Sequence, residues 1–513
     1  MQFTVVSYAD RAKTYKSITG QREAFLFRDN WDDYGFKTTF LLVYFDENGA
    51  RIDIGEVKIM QVGVSRGYTP MEDTFDVLDQ GYAALGQGQD YYETLLELDE
   101  EPRLEILNSL RDVVWNQVAR DEIHDEVAYI DSLMRSIGEK RFAKLVKIIL
   151  NEAELTPFKF TYKFPNVDER ILFKVTPNSR PPSNIHVVIG RNGVGKTTLL
   201  TSLSSLLRNG RDRRLGRLIF HDDEDTAAKD QFANLITVAF SVFDKFDPPP
   251  RSLAGLLRSR KTGTKSGIQY NYVGLKKRIR RGDERATGNK NDADLQKDFV
   301  ESTLRCLRSA SRPRWQAAMR ILEADPLFAG LQLSKLPDLP TNEIEDLAGA
   351  LFESASSGHK IVLLTLTQLA ELVSERTLVL IDEPEAHLHP PLIMAFVRAL
   401  SDLLSKRNGV AILATHSPVV AQEVPSDCVS LMFRHGGEIQ IERPEIETFA
   451  ENLGVLSREI FRLQVTESGH HNLIADAVKD AEDIEQLMDM FEDRVGAEGR
   501  ALARAMLHKG RRQ

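Results

Sequence analysis

The sequence has very few cysteines and no long hydrophobic run. Only two of its 513 residues are cysteines, Cys306 and Cys428, and neither has a second cysteine close to it in the chain. They therefore indicate neither a disulfide framework nor a zinc site. No segment approaches the roughly 18 consecutive apolar residues of a membrane helix, and the first residues, MQFTVVSYADRAKTYK, lack the apolar centre of a signal peptide. We expect a cytoplasmic protein without membrane contacts.

An overall excess of basic residues is also absent, because the net charge is −10. This charge argues against binding of nucleic acid over the whole surface. Residues 251–290, the basic segment, are an exception, since basic side chains there are opposed only by Asp283 and Glu284. With Tyr270 and Tyr272, the segment is suited to follow a phosphate backbone and stack on bases, and equally to contact an acidic protein surface as a solvated insertion. The possible contact residues are Lys276, Lys277, Arg278, Arg280 and Arg281.

The order of strand-like and helix-like segments predicts several regions. The composition, 42% hydrophobic and 28% charged, is typical of globular proteins, and the length exceeds one ordinary domain. The early stretches QFTVVSY, EAFLF, KTTFLLVYF and RIDIGEVKIMQVG predict a small antiparallel unit. Later, apolar strands alternate with helices, which predicts an α/β core with a mostly parallel sheet. The predicted regions are a β-rich region at 1–88, a helical connector at 89–155, the first part of the core at 156–250, a helical lobe with the basic segment at 251–345, the second part of the core at 346–445 and a helical C-terminal region at 446–513.

A glycine-rich loop in the first part of the core matches a phosphate-binding pattern. The segment GRNGVGKTT fits G-x-x-x-x-G-K-[ST], follows the apolar strand IHVVI and opens a helix. Its backbone N–H groups and the helix N-terminus are expected to surround phosphate oxygens. We expect Lys196 to neutralise the outer phosphates and Thr197 to ligate Mg²⁺. The predicted ATP-binding residues are Gly190, Arg191, Asn192, Gly193, Val194, Gly195, Lys196, Thr197 and Thr198.

Two segments in the second part of the core place polar residues directly after apolar strands. In TLVLIDEPE, Asp382 stands at the carboxyl end of a strand, where ligands of open α/β sheets bind. We expect Asp382 to hold Mg²⁺ and Glu383 to act as general base for the attacking water. In ILATHSP, His416 follows another strand and is expected to donate to a γ-phosphate oxygen. The predicted catalytic residues are therefore Lys196, Glu383 and His416.

These motifs occur in the order found in the ABC ATPase superfamily, which the sequence resembles. The segment SASSGHK stands where that family has its signature, and DEPEAHLHP and ATHSP are similar to the non-transporter branch with RecF-type, SMC-type and OLD-type proteins. The resemblance implies an ABC-type P-loop ATPase head, with a mixed sheet and a helical lobe, that uses ATP and Mg²⁺ and hydrolyses ATP. It also implies a head-to-tail homodimer in which the signature of one subunit completes the site of the other. The signature residues implied are Ser356, Ser357, Gly358 and His359.

The sequence departs from this family pattern in three respects. The signature differs from the usual LSGGQ, and His359 stands in the place of the glutamine. No glutamine follows the strand NLITVAF, where the family has its Q-loop, and Ser241 or Asp244 takes that place. The candidates for an aromatic adenine platform, which are better suited to a core, are Tyr162, Phe164 and Phe173.

Weaker segments are similar to bacterial defence ATPases, above all the PtuA-type ATPase of Septu and retron-associated systems. They are WDDYGF, GQDYYETL, VAFSVFD and ETFAENLGVLSREIF. This resemblance implies a role in anti-phage defence, in which the ATPase regulates a separately encoded effector. No nuclease domain is evident in the sequence. If nucleic acid is destroyed, we therefore expect a separate partner to do it, so the expected effector is a nuclease. The alternatives are a RecF-like ATPase that binds DNA during repair and, less well supported by the first 150 residues, the nucleotide-binding subunit of a transporter.

Overall fold

The computed structural model describes most of the chain, with gaps in the first part of the core and in the lobe. The described residues are 1–64, 66–150, 155, 157–221, 231–240, 246, 268–276, 288–309, 311–339, 341–386, 388–435, 438–461 and 470–510. Predicted residues that lie outside this described part are Lys277, Arg278, Arg280 and Arg281 of the basic segment, and the Q-loop candidates Ser241 and Asp244.

The N-terminal region is built on a six-stranded sheet. Its strands and two short flanking ones are β1 (Gln2–Val6), β2 (Glu23–Arg28), β3 (Phe36–Lys37), β4 (Thr39–Phe45), β5 (Arg51–Gln61), β6 (Gly67–Tyr68), β7 (Thr74–Phe75) and β8 (Tyr82–Gly86). The strand order is β7-β1-β2-β4-β5-β8, and the four predicted strands are β1, β2, β4 and β5. The predicted antiparallel arrangement is wrong for β1 and β2, which run parallel because helix α1 (Arg11–Ser17) returns the chain between them.

Helices pack on both faces of this sheet. They are α1, on one face, and α2 (Gln89–Glu97), α3 (Glu100–Ser109), α4 (Gln117–Ile123), a π-helical turn (Tyr129–Leu133) and α5 (Glu139–Ile149) on the other. The larger hydrophobic cluster runs from Phe3 to Ile149 and includes the fully buried rings of Tyr91 and Tyr92. Alternating strand residues such as Leu26 and Phe27 belong to opposite faces, as the period of a strand requires.

The core contains the remaining strands. They are β9 (Phe158–Lys163), β10 (Arg170–Val175), β11 (Ile185–Ile189), β12 (Arg217–Phe220), β13 (Asn234–Ala239), β14 (Gln269–Gly274), β15 (Thr377–Asp382), β16 (Val410–Thr415), β17 (Val429–His435) and β18 (Glu438–Glu442). A seven-stranded sheet has the order β14-β13-β15-β16-β11-β17-β18, and β10-β9-β12 form a small antiparallel sheet. All neighbours in the large sheet are parallel except β17 and β18, so the predicted mostly parallel sheet is confirmed.

Helices of the core, the lobe and the C-terminal region surround the large sheet or follow it in the chain. They are α6 (Lys196–Asn209), α7 (Asp292–Leu307), α8 (Arg312–Leu322), α9 (Pro326–Leu331), α10 (Thr341–Ser354), α11 (Ser357–Leu372), α12 (Pro390–Ser405), α13 (Pro418–Gln422), α14 (Leu453–Phe461), α15 (His470–Asp480), α16 (Ile484–Met490) and α17 (Ala497–Gly510). In the lobe, Trp315 of α8 is fully buried, and its Nε1 donates to Thr367 Oγ1 of α11 at 3.0 Å. No helix in the described ranges is both long and apolar enough to cross a membrane.

The central strands of the large sheet are buried along their whole length. In β15, Leu378 and Leu380 belong to the cluster with α6 and the small sheet, whereas Val379 and Ile381 belong to the cluster with α7, α8 and α12. The two faces are therefore both covered, which explains why these strands are continuous apolar runs instead of alternating ones. Because the apolar faces are occupied, the carboxyl ends of the strands remain as the edge where polar residues gather.

Candidate nucleotide site at the carboxyl edge of the sheet

Three neighbouring strands end at the same level. Asp382, the last residue of β15, pairs with Ala414 of β16, and Thr415, the last residue of β16, pairs with Ile189, the last residue of β11. The loops that follow these strands therefore start side by side. They contain the glycine-rich segment after β11, the acidic segment after β15 and the histidine after β16. The structure thus brings together the three motifs that lie far apart in the sequence.

The glycine-rich loop has a backbone that glycine makes possible. Gly193 and Gly195 have φ values of +81° and +112°, in the left-handed region that side chains disfavour. A Cβ atom on Gly190 would lie 2.2 Å from the carbonyl oxygen of Met432, so the loop approaches β17 too closely for any larger residue. Val194 turns inward and is buried against α6. The loop is thereby held as an open ring above the N-terminus of α6.

Lys196 lies folded back into this ring. Its side chain is 5% exposed, and Nζ donates to the carbonyl oxygens of Gly190 at 2.9 Å and Arg191 at 3.0 Å. Burial lowers the pKa of Lys196, and the carboxylates of Glu383, Asp382 and Glu385 partly offset this effect. An ammonium group in such surroundings gains from a nearby anion, because the anion favours its charged form.

The donor atoms at this edge suit a magnesium ion. Thr197 is half-buried in the first turn of α6, and the Asp382 carboxylate at the end of β15 is 3% exposed. Mg²⁺ prefers such hard oxygen ligands and usually takes one or two carboxylates together with phosphate oxygens and water. The residues present therefore fit the ion that nucleoside triphosphates carry.

Glu383 adopts an unusual backbone conformation directly after the strand. Its φ is +45°, although it carries a side chain, and its backbone nitrogen donates to the carbonyl oxygen of Ala414 at 2.8 Å. Residues with φ > 0 that are not glycine are uncommon and cluster at functional sites. The turn reverses the chain at the sheet edge and leaves the Glu383 side chain 44% exposed, while Asp382 stays buried.

Glu385 is a member of this site that the sequence analysis did not single out. Its Oε1 accepts hydrogen bonds from Thr415 Oγ1 at 2.6 Å and from the backbone nitrogen of His416 at 2.8 Å. The same oxygen lies 3.1 Å from His416 Nδ1, whereas Glu383 Oε1 lies 3.9 Å from it. The segment DEPE contains three carboxylates, and these were the feature of the sequence that could have pointed to Glu385. Only the structure shows that the third one fixes the loop of His416.

The signature segment divides into an exposed and a buried half. Ser356 and Ser357 are exposed at the N-terminus of α11, whereas Gly358 and His359 are buried. His359 is 4% exposed, and its Nδ1 shares a hydrogen bond with Ser356 Oγ at 2.6 Å. Its imidazole therefore points into its own subunit. This packing does not fit the predicted contact of His359 with a second subunit.

The aromatic residues considered for binding nucleic acid or adenine belong instead to the hydrophobic core. Tyr270 and Tyr272 lie in β14 with 2% and 7% exposure, and their burial contradicts a role in stacking on bases. Lys276 Nζ donates to the carbonyl oxygen of Phe246 at 2.9 Å. The aromatic residues considered for an adenine platform, Tyr162, Phe164 and Phe173, are all core residues with at most 5% exposure.

Comparisons with known proteins bear on the family. Residues 332–421 match a protein-family model described as "AAA domain, putative AbiEii toxin, Type IV TA system". Protein ea59 of Escherichia phage lambda is 38% identical to this chain over 526 residues, which cover 96% of each protein. A solved structure described as "An inward-facing conformation of a putative metal-chelate type ABC transporter" shares 16% identity and a TM-score of 0.25, over 56% of this chain and 83% of that one. That likeness is too weak to characterise the fold.

The matched residues include the strand that ends at Asp382 and the loop with His416, and the glycine-rich loop after β11 lies beside them in the sheet. Together these features indicate a P-loop ATPase domain of the AAA type with an α/β fold, and such domains generally use ATP and Mg²⁺. The relative from phage lambda aligns along almost the whole length and well above 30% identity. The chain therefore belongs to the same protein family as Protein ea59 of Escherichia phage lambda.

Proposed function

We propose that this protein is an ATP-hydrolysing switch that works as a head-to-tail dimer and controls a separately encoded effector. One observation carries the ATPase part of the proposal: Lys196, Asp382 and Glu383 meet at one edge of the sheet through the register of three adjacent strands. The relevant chemistry is phosphoryl transfer to water, in which a protein acts mainly by positioning and by electrostatic stabilisation.

The glycine-rich loop and Lys196 bind the phosphates in this proposal. Lys196 exchanges its two carbonyl partners, Gly190 and Arg191, for phosphate oxygens, and the charged form of the buried amine is stabilised by the exchange. The N–H groups at the start of the 14-residue helix α6 point to the same place. Thr197 and Asp382 hold Mg²⁺, which neutralises phosphate charge when it is bound.

Glu383 is proposed to act as the general base and His416 as a donor to the γ-phosphate. The Glu383 carboxylate is partly exposed at the sheet edge, where it can accept a proton from an attacking water. Glu385 is proposed as a positioning residue, because its Oε1 holds Thr415 and the backbone of His416. The same carboxylate oxygen lies 3.1 Å from His416 Nδ1 and so also orients the imidazole ring.

The dimer part of the proposal rests on the exposed half of the signature. Ser356 and Ser357 present hydroxyl groups at the N-terminus of the 16-residue helix α11, which favours a negatively charged group. A γ-phosphate bound to a second subunit is such a group. ATP would then join two subunits, and hydrolysis would release them. Since His359 is turned inward, the proposed contact uses the two serines and the backbone of Gly358.

The biological part of the proposal is a role in conflict between phage and host. The description of the family model names an AbiEii toxin and a type IV TA system, and the relative comes from a phage. The similarity of weaker segments to the PtuA-type ATPases of Septu and retron-associated systems points in the same direction. We propose that a nuclease encoded beside this chain is the effector. The protein is proposed to work in the cytoplasm.

Co-purification tests the partner. The chain is expressed with its native neighbouring gene and purified through a tag on the chain, as wild type, Lys196→Ala, Glu383→Gln and the control Ser205→Ala, which lies two turns further along α6. We expect a partner whose retention and nuclease activity differ between the ATP-locked Glu383→Gln protein and the ATP-free Lys196→Ala protein. ATP hydrolysis without any partner, together with stimulation by DNA, would favour the RecF-like alternative.

A further inference from the structure

We propose that Asp325, His359 and His389 form a binding site for a divalent transition-metal ion of the Zn²⁺ class. This site is separate from the nucleotide site, and the proposal does not depend on ATP hydrolysis. One carboxylate and two imidazoles contribute one ligand atom each, and these three atoms all lie within 4.8 Å of one another. Two histidines and one carboxylate are a common ligand set for Zn²⁺ and related ions.

Three different elements supply the ligands. Asp325 directly precedes α9, His359 lies in the first turn of α11, and His389 directly precedes α12. The residues are far apart in the sequence, so neither their spacing nor any local motif predicts the cluster. Asp325 is 7% exposed and His359 is 4% exposed, which places two of the three ligands in the protein interior.

The distances are those of ligands that share an ion rather than of hydrogen bonds. His359 Nε2 lies 3.5 Å from Asp325 Oδ1, and His389 Nε2 lies 3.7 Å from Asp325 Oδ2. Hydrogen bonds between nitrogen and oxygen are about 2.7–3.2 Å long. Two ligands bound at about 2.0–2.1 Å with a tetrahedral angle at a metal ion lie roughly 3.4 Å apart. Small inward shifts of the side chains would bring all three atoms to coordination distance from one ion.

The orientation of His359 supplies an independent observation. Its Nδ1 is engaged by Ser356 Oγ at 2.6 Å, and its buried Nε2 makes no hydrogen bond in the described part of the chain while facing Asp325. Histidines that bind metals characteristically use one nitrogen for the ion and fix the ring through the other. A histidine that merely fills space would leave this buried polar nitrogen without a partner, which is unfavourable.

His389 provides access to the ion. Its side chain is 49% exposed, so an ion can enter from solvent and water can occupy a remaining coordination position. The Nδ1 of His389 accepts a long hydrogen bond of 3.4 Å from the backbone nitrogen of Leu392. When Nε2 binds the ion, Nδ1 carries the proton and this contact is given up. Coordination of the ion would replace this long contact, and Pro390 still favours the start of α12.

The ion would connect two parts of the ATPase domain within one subunit. His389 stands at the end of the loop that begins with Glu383, and His359 follows the exposed serines of the signature. Coordination would fix the start of α11 relative to the start of α12. Because the ligands are nitrogen-rich, the site discriminates against Mg²⁺, which prefers oxygen.

Titration with Co²⁺ tests the site directly. The full-length protein, purified without a histidine tag and treated with a chelator, is titrated in the absence of nucleotide and with Mg²⁺ in excess. The variants are His389→Asn and Asp325→Asn, both of which keep a side chain that can cap a helix, and the control is His124→Asn at the exposed end of α4. Thermal unfolding with and without Co²⁺ is measured for each protein.

We expect one Co²⁺ per chain with the visible absorption of a nitrogen-bound ion, and a rise in the unfolding temperature. Each ligand variant should bind at least about tenfold more weakly and lose that rise, whereas His124→Asn and Lys196→Ala should behave as the wild type. If the wild type binds no Co²⁺ tightly, or if the variant His389→Asn, at a position where the side chain is half-exposed, binds it equally well, the site does not exist.

Discussion

Glu385 and Thr415 share a hydrogen bond of 2.6 Å that joins the loop after β15 to the end of β16. The same carboxylate oxygen accepts the backbone N–H of His416 at 2.8 Å, so one side chain fixes both the last residue of the strand and the residue beyond it. A charged acceptor makes these bonds stronger than neutral ones. The position of His416 at the candidate site is therefore set by a residue thirty-one positions earlier in the chain.

This relationship predicts the effect of Glu385→Gln. The amide retains one acceptor oxygen, so the loop should fold, but the negative charge beside His416 is lost. We expect kcat for ATP hydrolysis to fall by at least about tenfold while KM for ATP changes little, because the hydrogen bonds of Glu385 go to Thr415 and His416. Steady-state kinetics measure both constants. The exposed control Glu345→Gln on α10 should be unaffected, and an unchanged kcat in Glu385→Gln would remove Glu385 from the mechanism.

Lys196→Ala should abolish nucleotide binding. Within the described ranges, the buried amine donates to two backbone carbonyl groups and lies near three carboxylates, and its removal takes a side-chain cation away from the phosphates. Binding of a fluorescent ATP analogue is expected to weaken by at least about a hundredfold, and the free energy of unfolding without nucleotide should change little, since burial already disfavours the charged amine. Ser205→Ala is the matched control. ATP binding of normal strength in Lys196→Ala would place the nucleotide elsewhere.

Glu383→Gln should bind ATP and fail to hydrolyse it. Loss of a general base costs about 10²–10⁴-fold in rate. In the proposed dimer this variant accumulates the ATP-bound state, so its mass measured by light scattering should double on addition of ATP. A second substitution, Ser357→Tyr, fills the exposed start of α11 and should keep Glu383→Gln monomeric, whereas Asn209→Tyr at the exposed end of α6 should not. A monomer with ATP in Glu383→Gln itself would contradict the dimer.

The sequence was informative where function depends on local backbone and strand order. The glycines around Gly193 and the continuous apolar strands before Asp382 and His416 predict one sheet edge, and the register confirms it. Side-chain contacts between distant segments have no such local pattern. Glu385 with Thr415, or Asp325 with His359, became visible only when the fold was known.

The wrong interpretation of the two tyrosines in the middle of the basic segment has a physical explanation. Tyr270 and Tyr272 are two positions apart, the period at which strand residues share a face, and both belong to the cluster around α6. The surrounding basic charges suggested stacking on bases, although the alternation in QYNYVG already indicated a strand. The parallel order of β1 and β2 was missed for a related reason, since strand patterns alone do not specify direction.

The buried carboxyl group of Asp112 should make the stability of the N-terminal region depend on pH. The residue is fully buried, and burial raises its pKa to about 7, although it accepts hydrogen bonds from Tyr92 Oη and the backbone nitrogen of Val114. An unfolded aspartate loses its proton near pH 4, so the contribution of Asp112 to stability is present below about pH 4 and is lost as pH rises to about 7. Relative to Asp112→Asn, the free energy of unfolding of the wild type should therefore decrease over this window. A constant difference between the two proteins would contradict the raised pKa.

The ion pairs of Arg407 should help to hold the N-terminal region against the ATPase domain. Arg407 follows α12 and is 5% exposed, and it forms ion pairs with Glu93 and, at 3.7 Å, with Asp90, both from α2. Removing Arg407 leaves the charge of Glu93, which is 21% exposed, without this partner, whereas replacing both residues removes that charge as well. Asp90 is 54% exposed, so solvent screens its share of the interaction. Arg407→Met should therefore lower the free energy of unfolding in urea, and Arg407→Met with Glu93→Gln should recover most of the loss. Additive effects of the two substitutions would show that the ion pair does not couple the regions.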